Sequence, residues 1–215
     1  MNLPNKLTIF RMILVIIMMI IPIIDNVVGI TGELLGITTA FWIMNIIFII
    51  AAITDKLDGT LARKWNQVTT FGKFLDPIAD KMLVLAALII LVEYLKIPSW
   101  IPIIILIREF MVSGYRLIAV EKGGKVIPAS IWGKIKTVTQ MLAVICCFVD
   151  KFSFGQFIFR VSNAEAMIEN SAGIYMNNMQ FGINILSTTL LVACVIATIF
   201  SGWDYLKSGR DLLKD

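Results

Sequence analysis

Four aspartates stand in two pairs inside otherwise apolar stretches of the sequence. Asp55 and Asp58 are three residues apart, and Asp76 and Asp80 are four residues apart. These spacings place both members of a pair on one face of a helix, so each helix presents two carboxylates in one direction. Ionisable groups inside apolar helices are energetically costly, so we interpret the four aspartates as a functional site.

The two pairs are separated by a short connection at residues 64–70, which predicts that their helices are antiparallel neighbours. The four carboxylates then converge, and four negative charges at close range require cations to compensate them. Ligand sets made only of oxygen select hard cations, namely Mg²⁺, Mn²⁺ or Ca²⁺. Two such ions, roughly 3.5–4 Å apart, stabilise the attacking and leaving oxygens of a phosphoryl transfer. The pattern therefore predicts a two-metal site.

Two other interpretations of the aspartates are open. In the first, the carboxylates pair with basic neighbours instead of metal ions, the candidates being Lys56, Arg63, Lys73 and Lys81. In the second, the chain is a cation-coupled transporter, because transporters also hold carboxylates at membrane depth. The aspartates lie near one end of their helices and the two halves of the chain do not repeat each other, so the sequence favours an enzyme over a transporter.

A second cluster in the sequence is basic. Arg108 and Arg116 are eight residues apart, about two helical turns, and therefore share a helix face. Lys134 and Lys136 begin the next apolar segment on the same side of the membrane. Arginine binds phosphate through paired donors, so these cations beside an acidic site predict capture of an anionic group. The alternative is that they anchor helix ends at the membrane surface. Glu109 either orients Arg108 or is a neutral structural acid.

The composition requires a membrane. Of the 215 residues, 58% are hydrophobic and only 16% are charged, and the mean hydropathy is +0.86. A soluble domain of this length cannot bury so much apolar surface. Apolar segments of about 20 residues predict an all-α bundle of six transmembrane helices, in a single domain of residues 1–215. The predicted spans are residues 7–24, 37–63, 71–94, 99–120, 131–149 and 182–205.

The distribution of basic residues orients the predicted bundle. If both chain termini are cytoplasmic, Lys96, Lys151 and Arg160 face outward, and the other Lys and Arg residues lie on the cytoplasmic side or in the inner halves of spans. Residues 150–180 then form an external loop with some surface helix. We therefore expect a multi-pass protein whose aspartate site faces the cytoplasm.

Some chemistry is excluded by the sequence. It contains no histidine, which rules out a Ser-His-Asp or Cys-His nucleophile, a His-ligated zinc site and a phosphohistidine intermediate. Cys146, Cys147 and Cys194 lie in apolar runs without metal-ligand spacing, so we expect them to be packing residues. The net charge of +4 is explained by basic loops that face anionic lipid head groups, and we expect no nucleic-acid partner.

The aspartate region reads Asp55-x-x-Asp58-Gly59-x-x-Ala62-Arg63, eight residues, Gly72-x-x-x-Asp76-x-x-x-Asp80. This string resembles the signature of the CDP-alcohol phosphotransferase family at every fixed position, and the six predicted spans fit the family's topology. The resemblance implies that Asp55, Asp58, Asp76 and Asp80 ligate two divalent cations, Mg²⁺ or Mn²⁺. It also implies that Asp80 acts as general base on the hydroxyl of an acceptor alcohol.

The resemblance also implies a pocket for the CDP group of the donor. Asn5, Thr8 and Arg11 resemble a short N-terminal segment of the family that helps to close the nucleotide site, although helix capping and interfacial anchoring explain these residues equally well. The residues implied in CDP binding are Asn5, Thr8, Asp58, Gly59, Ala62, Arg63 and Gly72.

Two further strings resemble the phosphatidylglycerophosphate synthase branch of that family, REFMVSGYRLIAVEKG at residues 108–123 and GKIKTVTQM at residues 133–141. This resemblance implies the reaction of CDP-diacylglycerol with sn-glycerol 3-phosphate, in a bacterial plasma membrane and among membrane lipids. Segments 108–116 and 133–137 would form the acceptor pocket, with Arg108, Arg116, Lys134 and Lys136 around the phosphate. Inositol phosphate, serine or another alcohol is the alternative acceptor. Dimers are common in the family, so a homodimer is also implied.

Overall fold

The computed structural model describes residues 3–30, 32–64, 70–121, 130–158 and 178–209. Within these ranges, six long helices follow one another, which confirms the all-α class, and each helix overlaps one predicted span. The helices are α1 (Leu3–Val28), α2 (Thr39–Lys64), α3 (Thr70–Glu93), α4 (Trp100–Glu121), α5 (Ile131–Val149) and α6 (Asn178–Gly209).

A small antiparallel hairpin lies between α1 and α2, and the sequence did not predict it. Its strands are β1 (Glu33–Leu34) and β2 (Ile37–Thr38), and Glu33 pairs with Thr38. The two turn residues, Leu35 and Gly36, have φ angles of 57° and 76°, as the tightest hairpin turns require. The second span was predicted to begin at about residue 37, and α2 begins two residues later because this hairpin holds the chain extended up to Thr39.

The last helix is longer than its predicted span. Residues 150–180 were predicted as an external loop with some surface helix, and α6 already includes residues 178–180. Hydropathy detects only the apolar part of a helix, whereas the backbone continues to form helical hydrogen bonds through polar residues at its ends. Most of the remaining predicted loop, residues 159–177, lies outside the described residues.

The helices have the length and surface of a membrane protein. Among the described residues, four segments are long and apolar enough to cross a bilayer, namely Asn5–Val28, Thr39–Lys56, Ile131–Val149 and Asn178–Lys207. Helices α3 and α4 have similar lengths but carry several charged residues. Large apolar side chains such as Ile13, Ile16 and Ile23 are exposed, which water would disfavour and lipid accepts. The chain is therefore an all-α membrane protein.

Helix α1 packs against both α2 and α3, and each of these contacts is more extensive than the contact between α2 and α3 themselves. Met18 of α1 and Met44 and Phe48 of α2 are fully buried in the core. The core continues to α5, where the ring centroid of Phe148 lies 6.4 Å from that of Phe48. Helices α4 and α5 both pack on α6. The first helix is thus a third wall beside the two helices that carry the aspartate pairs.

Contacts between helix ends show that the helices alternate in direction. Asp25 near the end of α1 accepts a hydrogen bond from the hydroxyl of Tyr94, just after α3, at 2.8 Å. Asp150, which caps the end of α5, accepts one from Nδ2 of Asn184 near the start of α6, also at 2.8 Å. Lys96, just after α3, contacts Asp150 at the end of α5; Arg11 in the first half of α1 pairs with Asp55 in the second half of α2; and Arg116 late in α4 contacts Tyr205 late in α6. The starts of α1, α3 and α5 therefore share one end of the bundle with the ends of α2, α4 and α6.

A buried polar network fastens the bundle at the end where α5 finishes. Asp150 is 3% exposed, and its Oδ2 also accepts from the hydroxyl of Ser187 at 2.5 Å. Nζ of Lys96 donates to the backbone oxygens of Asp150 and Lys151 at 2.6 and 2.7 Å. Burial raises the pKa of the Asp150 carboxyl and lowers the pKa of the Lys96 ammonium, because both charged forms lose hydration.

Candidate active site

A cavity of about 770 Å³ lies among α3, α4 and α5, and Tyr205 of α6 contributes to its wall. Asp80 lines the cavity near the middle of α3, and Leu88 lines it two turns further along the same helix. The charged lining residues are Asp80, Lys81, Arg108, Glu109, Arg116, Lys134 and Lys136. The apolar lining includes Leu85, Leu88, Pro102, Ile105 and Leu106. The cavity therefore has a charged part at one end of the bundle and an apolar part that runs along the helices.

The cavity joins Asp80 to the predicted basic cluster. Asp80 is half-buried, and among the described side chains the charges that act on it belong to Arg11, Glu109, Lys136 and Lys81. Arg108, Arg116, Lys134 and Lys136 all line the same cavity as Asp80. The structure thus brings a carboxylate and the four cations into one space, as expected from the sequence spacing. The roles assigned to these residues stay predictions.

Glu109 links two of the cations. Its Oε1 accepts from Nη1 of Arg108 at 3.0 Å and from Nζ of Lys136 at 2.5 Å. The contact with Arg108 fits the interpretation that Glu109 orients this arginine, and the contact with Lys136 was not predicted. Lys136 is 6% exposed, so it is not a surface anchor, whereas Lys134 and Arg116 are exposed. The four cations therefore differ in how freely they can meet a ligand.

Helix α6 contributes two residues that the sequence reasoning missed. The hydroxyl of Ser201 accepts a hydrogen bond from Nη2 of Arg108, and the hydroxyl of Tyr205 accepts one from Nη2 of Arg116 at 2.9 Å. Ser201 and Tyr205 are four residues apart and therefore lie on one helix face. The sequence feature that could have predicted their role is the spacing of two polar residues on one face, near the end of the last apolar segment.

The hydrogen bond of Lys81 goes to a serine, whereas the alternative interpretation paired Lys81 with the aspartates. In the structure its Nζ donates to the hydroxyl of Ser113 at 2.5 Å. Ser113 in turn donates to the backbone oxygen of Glu109 at 2.7 Å. These hydrogen bonds link the middle of α3 to α4 beside the cavity, and the positive charge of Lys81 lies near Asp80.

The start of α1 presents a polar face to the bundle. Asn5, Thr8 and Arg11 recur every three residues, and they are 6%, 1% and 0% exposed. Arg11 forms an ion pair with Asp55 of α2. Residues buried to this degree are not interfacial anchors, so that alternative is wrong. Among the described side chains, Asp55 thus pairs with Arg11, which was absent from the set of basic neighbours considered from the sequence.

Several predicted residues lie outside the described side chains. Their backbones belong to α2 and α3, but nothing is described of the side chains of Asp58, Gly59, Ala62, Arg63, Gly72 and Asp76. Within the described part of the chain, no three Cys, Asp or Glu side chains form a potential metal-ligand group. The two described members of the predicted metal site, Asp55 and Asp80, supply carboxylate oxygens. This donor chemistry fits a hard divalent cation.

The cysteines behave as packing residues. Cys147 and Cys194 are buried, Cys146 is half-buried, and all three are free thiols. Cys147 and Cys194 belong to the same apolar core as Phe48 and Phe148. The expectation that these thiols fill space in the interior is confirmed for the two buried ones.

The fold and the cavity define a helical membrane protein with a carboxylate and a cluster of cations at one end of its helices. A profile of the CDP-alcohol phosphatidyltransferase family matches residues 1–203. The chain belongs to this family, which confirms the resemblance seen in the aspartate motif.

Relatives that match over nearly the whole chain share one name. Proteins from Bacillus subtilis and Haemophilus influenzae, each called CDP-diacylglycerol–glycerol-3-phosphate 3-phosphatidyltransferase, are both 38% identical to this chain. The first match covers 99% of this chain and 97% of the relative, and the second covers 100% and 96%. A protein of the same name from Cereibacter sphaeroides is 35% identical and covers 82% of this chain and 85% of its own length.

Proposed function

We propose that this chain transfers the phosphatidyl group of CDP-diacylglycerol to sn-glycerol 3-phosphate, giving phosphatidylglycerophosphate and CMP. The names of its relatives agree with this reaction. The observation that carries the proposal is the shared cavity, in which Asp80 lies with Arg108, Arg116, Lys134 and Lys136. Such a reaction needs a proton acceptor for a hydroxyl and a cationic site for a phosphate within one space.

The basic cluster would bind the phosphate of the acceptor. Arg116 and Lys134 are exposed on the described surface and line the cavity, so an incoming anion reaches them directly. Arg108 and Lys136 are held by Glu109 behind them, which fixes their positions before the ligand arrives. Preorganised cations in a partly apolar cavity bind an anion more strongly than the same cations in water.

Asp80 would accept the proton of the acceptor hydroxyl. The hydroxyl oxygen then forms a bond to the phosphorus that carries the diacylglycerol, and the bond from this phosphorus to the oxygen of CMP breaks. Asp55, Asp58, Asp76 and Asp80 would together hold two divalent cations, Mg²⁺ or Mn²⁺. When bound, the metal ions would supply positive charge that stabilises the transferring phosphoryl group.

The nucleotide of the donor would lie beside the starts of α1 and α3. The buried polar face of α1, formed by Asn5 and Thr8, supports this location because it faces the helices that carry the aspartates. The other residues proposed for CDP binding are Asp58, Gly59, Ala62, Arg63 and Gly72. The diacylglycerol chains would occupy the apolar part of the cavity, near Leu85 and Leu88 of α3.

We also propose that all six helices cross the membrane, with both termini and the charged part of the cavity on the cytoplasmic side. Helices α3 and α4 contain 24 and 22 residues, which is long enough to span a bilayer. Five of their charged residues, Asp80, Lys81, Arg108, Glu109 and Arg116, line the cavity, so these charges avoid lipid. The soluble acceptor then enters the cavity from the cytoplasm, at the cytoplasmic surface of the plasma membrane. A homodimer stays a prediction from the family.

The test is CMP release by the purified protein in detergent, with CDP-diacylglycerol, Mg²⁺ or Mn²⁺, and one acceptor in each reaction. The acceptors are glycerol 3-phosphate, inositol phosphate, inositol and serine. We expect turnover only with glycerol 3-phosphate, and its loss when a chelator removes the metal. Turnover with another acceptor would replace the proposed substrate. If no CMP is released with any of the four acceptors, the result would favour a transporter.

A variant pair tests the proposed base. Asp80→Asn keeps the shape of the side chain and removes its proton acceptor, so we expect kcat to fall by about 10²–10⁴-fold, the usual range for loss of a general base. Glu93→Gln is the matched control, because Glu93 is an exposed carboxylate at the far end of the same helix. Wild-type kcat in Asp80→Asn would refute the assignment of the base.

A further inference from the structure

Tyr205 on α6 lies beside both arginines of the basic cluster. Tyr205 is only 1% exposed, yet it contributes to the cavity wall. Its hydroxyl accepts the hydrogen bond from Nη2 of Arg116 at 2.9 Å. Its ring centroid lies 5.7 Å from Cζ of Arg108 and 5.8 Å from Cζ of Arg116. One aromatic side chain therefore contacts two guanidinium groups that start two turns apart on α4.

Both arginines lie within the roughly 6 Å range at which a ring face attracts a cation. The two guanidinium groups repel each other, and the ring supplies an attraction to each that offsets this repulsion. Ser201, one turn earlier on α6, fixes Arg108 by accepting from its Nη2. The end of α6 thus sets the positions of both arginine side chains relative to the cavity.

The partners of the cations differ in charge, and this difference matters for a ligand. Lys136 donates to the carboxylate of Glu109, which neutralises much of its charge. The ring and hydroxyl of Tyr205 and the hydroxyl of Ser201 are neutral. They hold Arg108 and Arg116 in place. Arg108 also donates to Glu109, but Lys136 shares this single carboxylate, so net positive charge remains available to an incoming anion.

We propose that Tyr205 is a positioning residue that holds Arg108 and Arg116 as a pair for the phosphate of the acceptor. It thereby sets the preference of the enzyme for a phosphorylated alcohol over a neutral one. This inference rests on the proposed function. It assigns Tyr205 no contact with the reacting atoms and no part in binding the nucleotide.

The test compares Tyr205→Phe and Tyr205→Leu with the wild type, in detergent, by CMP release with glycerol 3-phosphate and with glycerol. Tyr205→Phe removes the hydroxyl and keeps the ring, so we expect the KM for glycerol 3-phosphate to rise roughly 3- to 10-fold, the effect of one hydrogen bond. Tyr205→Leu also removes the ring, and we expect a larger rise. In both variants kcat and the KM for CDP-diacylglycerol should stay within about twofold, because neither property depends on the arginine pair.

Tyr94→Phe is the matched control. This variant also loses a hydroxyl hydrogen bond, to Asp25, but Tyr94 lies just after the end of α3, 14 residues beyond Asp80. We expect its KM for glycerol 3-phosphate to equal that of the wild type. A further control is the combination of Tyr205→Phe with Arg116→Gln. Its KM should match that of Arg116→Gln alone, because the hydroxyl acts through that arginine.

The outcomes separate this inference from the proposed function. Wild-type protein that releases no CMP with any phosphorylated acceptor overturns both. If the wild type is active, the inference alone is overturned when Tyr205→Phe leaves the KM for glycerol 3-phosphate unchanged or raises the KM values of both substrates together. It is also overturned when Tyr94→Phe produces the same rise. A preference for glycerol 3-phosphate over glycerol that is unaltered in Tyr205→Leu also overturns it. If Tyr205→Leu does not fold, the KM values of Tyr205→Phe and of its combination with Arg116→Gln decide.

Discussion

Glu109 is the residue whose removal should most disturb the cavity. Its Oε1 accepts from Lys136 and from Arg108, and the side chain of Lys136 is only 7% exposed. Glu109→Gln leaves the buried ammonium of Lys136 without a negative partner at that position. Breaking a fully buried ion pair costs about 3–5 kcal/mol. The side chain of Glu109 is 24% exposed and glutamine retains one carbonyl oxygen as an acceptor, so we expect a loss of about 1–3 kcal/mol in the free energy of unfolding.

The buried cysteines provide the assay for this prediction. Cys147 and Cys194 are 4% and 0% exposed, so a thiol-reactive fluorescent dye reports their exposure when the protein unfolds. For chains of this size, 1 kcal/mol corresponds to roughly 2–4 °C in Tm. Glu93→Gln serves as the control, since it removes an exposed carboxylate and should leave Tm unchanged.

A double-mutant cycle tests the cause of the loss. If Glu109→Gln is destabilising because it strands Lys136, the same substitution should cost less than about 1 kcal/mol in a Lys136→Met background, where no buried ammonium remains. The reasoning is refuted if Glu109→Gln melts at the same temperature as Glu93→Gln. It is equally refuted if the destabilisation is undiminished in the Lys136→Met background, because Lys136 would then not be the stranded group.

The other predictions concern Asp150 and Arg108. Asp150→Ala removes the acceptor of Asn184 and Ser187, and we expect thermal unfolding with the thiol-reactive dye to show a loss of about 1–3 kcal/mol. Burial raises the pKa of Asp150 above 3.8, so the folded state holds this proton to higher pH than the unfolded state does. Its contribution to stability is therefore complete below pH 3.8 and decreases as the pH rises through the raised pKa. Measured as Tm against pH, this decrease should be absent in Asp150→Asn. An identical slope in the wild type and the variant would contradict the prediction. Arg108→Lys keeps the charge but loses the planar fork that donates to two partners, so we expect the KM for glycerol 3-phosphate to rise about tenfold in the CMP assay, and an unchanged KM would contradict the phosphate role.

The length of the apolar segments and the spacing of their residues predicted the helices whose ends coincide with the ends of an apolar run. The bounds of α5 agree with its predicted span, residues 131–149, because this helix begins at the cap formed by Ser130 and ends where the apolar run ends. The hairpin at residues 33–38 was missed because each of its strands is only two residues long. A period-2 pattern needs at least four residues to be recognised.

Helix partners could not be predicted from the same patterns. The short connection between α2 and α3 correctly predicted that they are in contact, but it carried no information about α1, which packs on both. Arg11 was therefore considered only as part of an N-terminal segment, and its ion pair with Asp55 was not expected. An ion pair between residues 44 positions apart depends on how helices pack, and helical periodicity is silent about packing between helices.

The cavity is formed by residues from distant segments, yet the positions of these residues within their helices follow a pattern that the sequence shows. Because the helices alternate in direction, cavity residues at one depth come early in α5 and late in α4 and α6, whereas Asp80 and Arg108 lie near the middle of α3 and α4. Lys136 and Arg116 follow this rule, and, like Asp80, they were visible because ionisable residues in apolar helices are rare. Tyr205 follows the same rule near the end of α6. It escaped attention because a tyrosine at the end of a span is also typical of the membrane interface, so only its contacts with the two arginines distinguish the two roles.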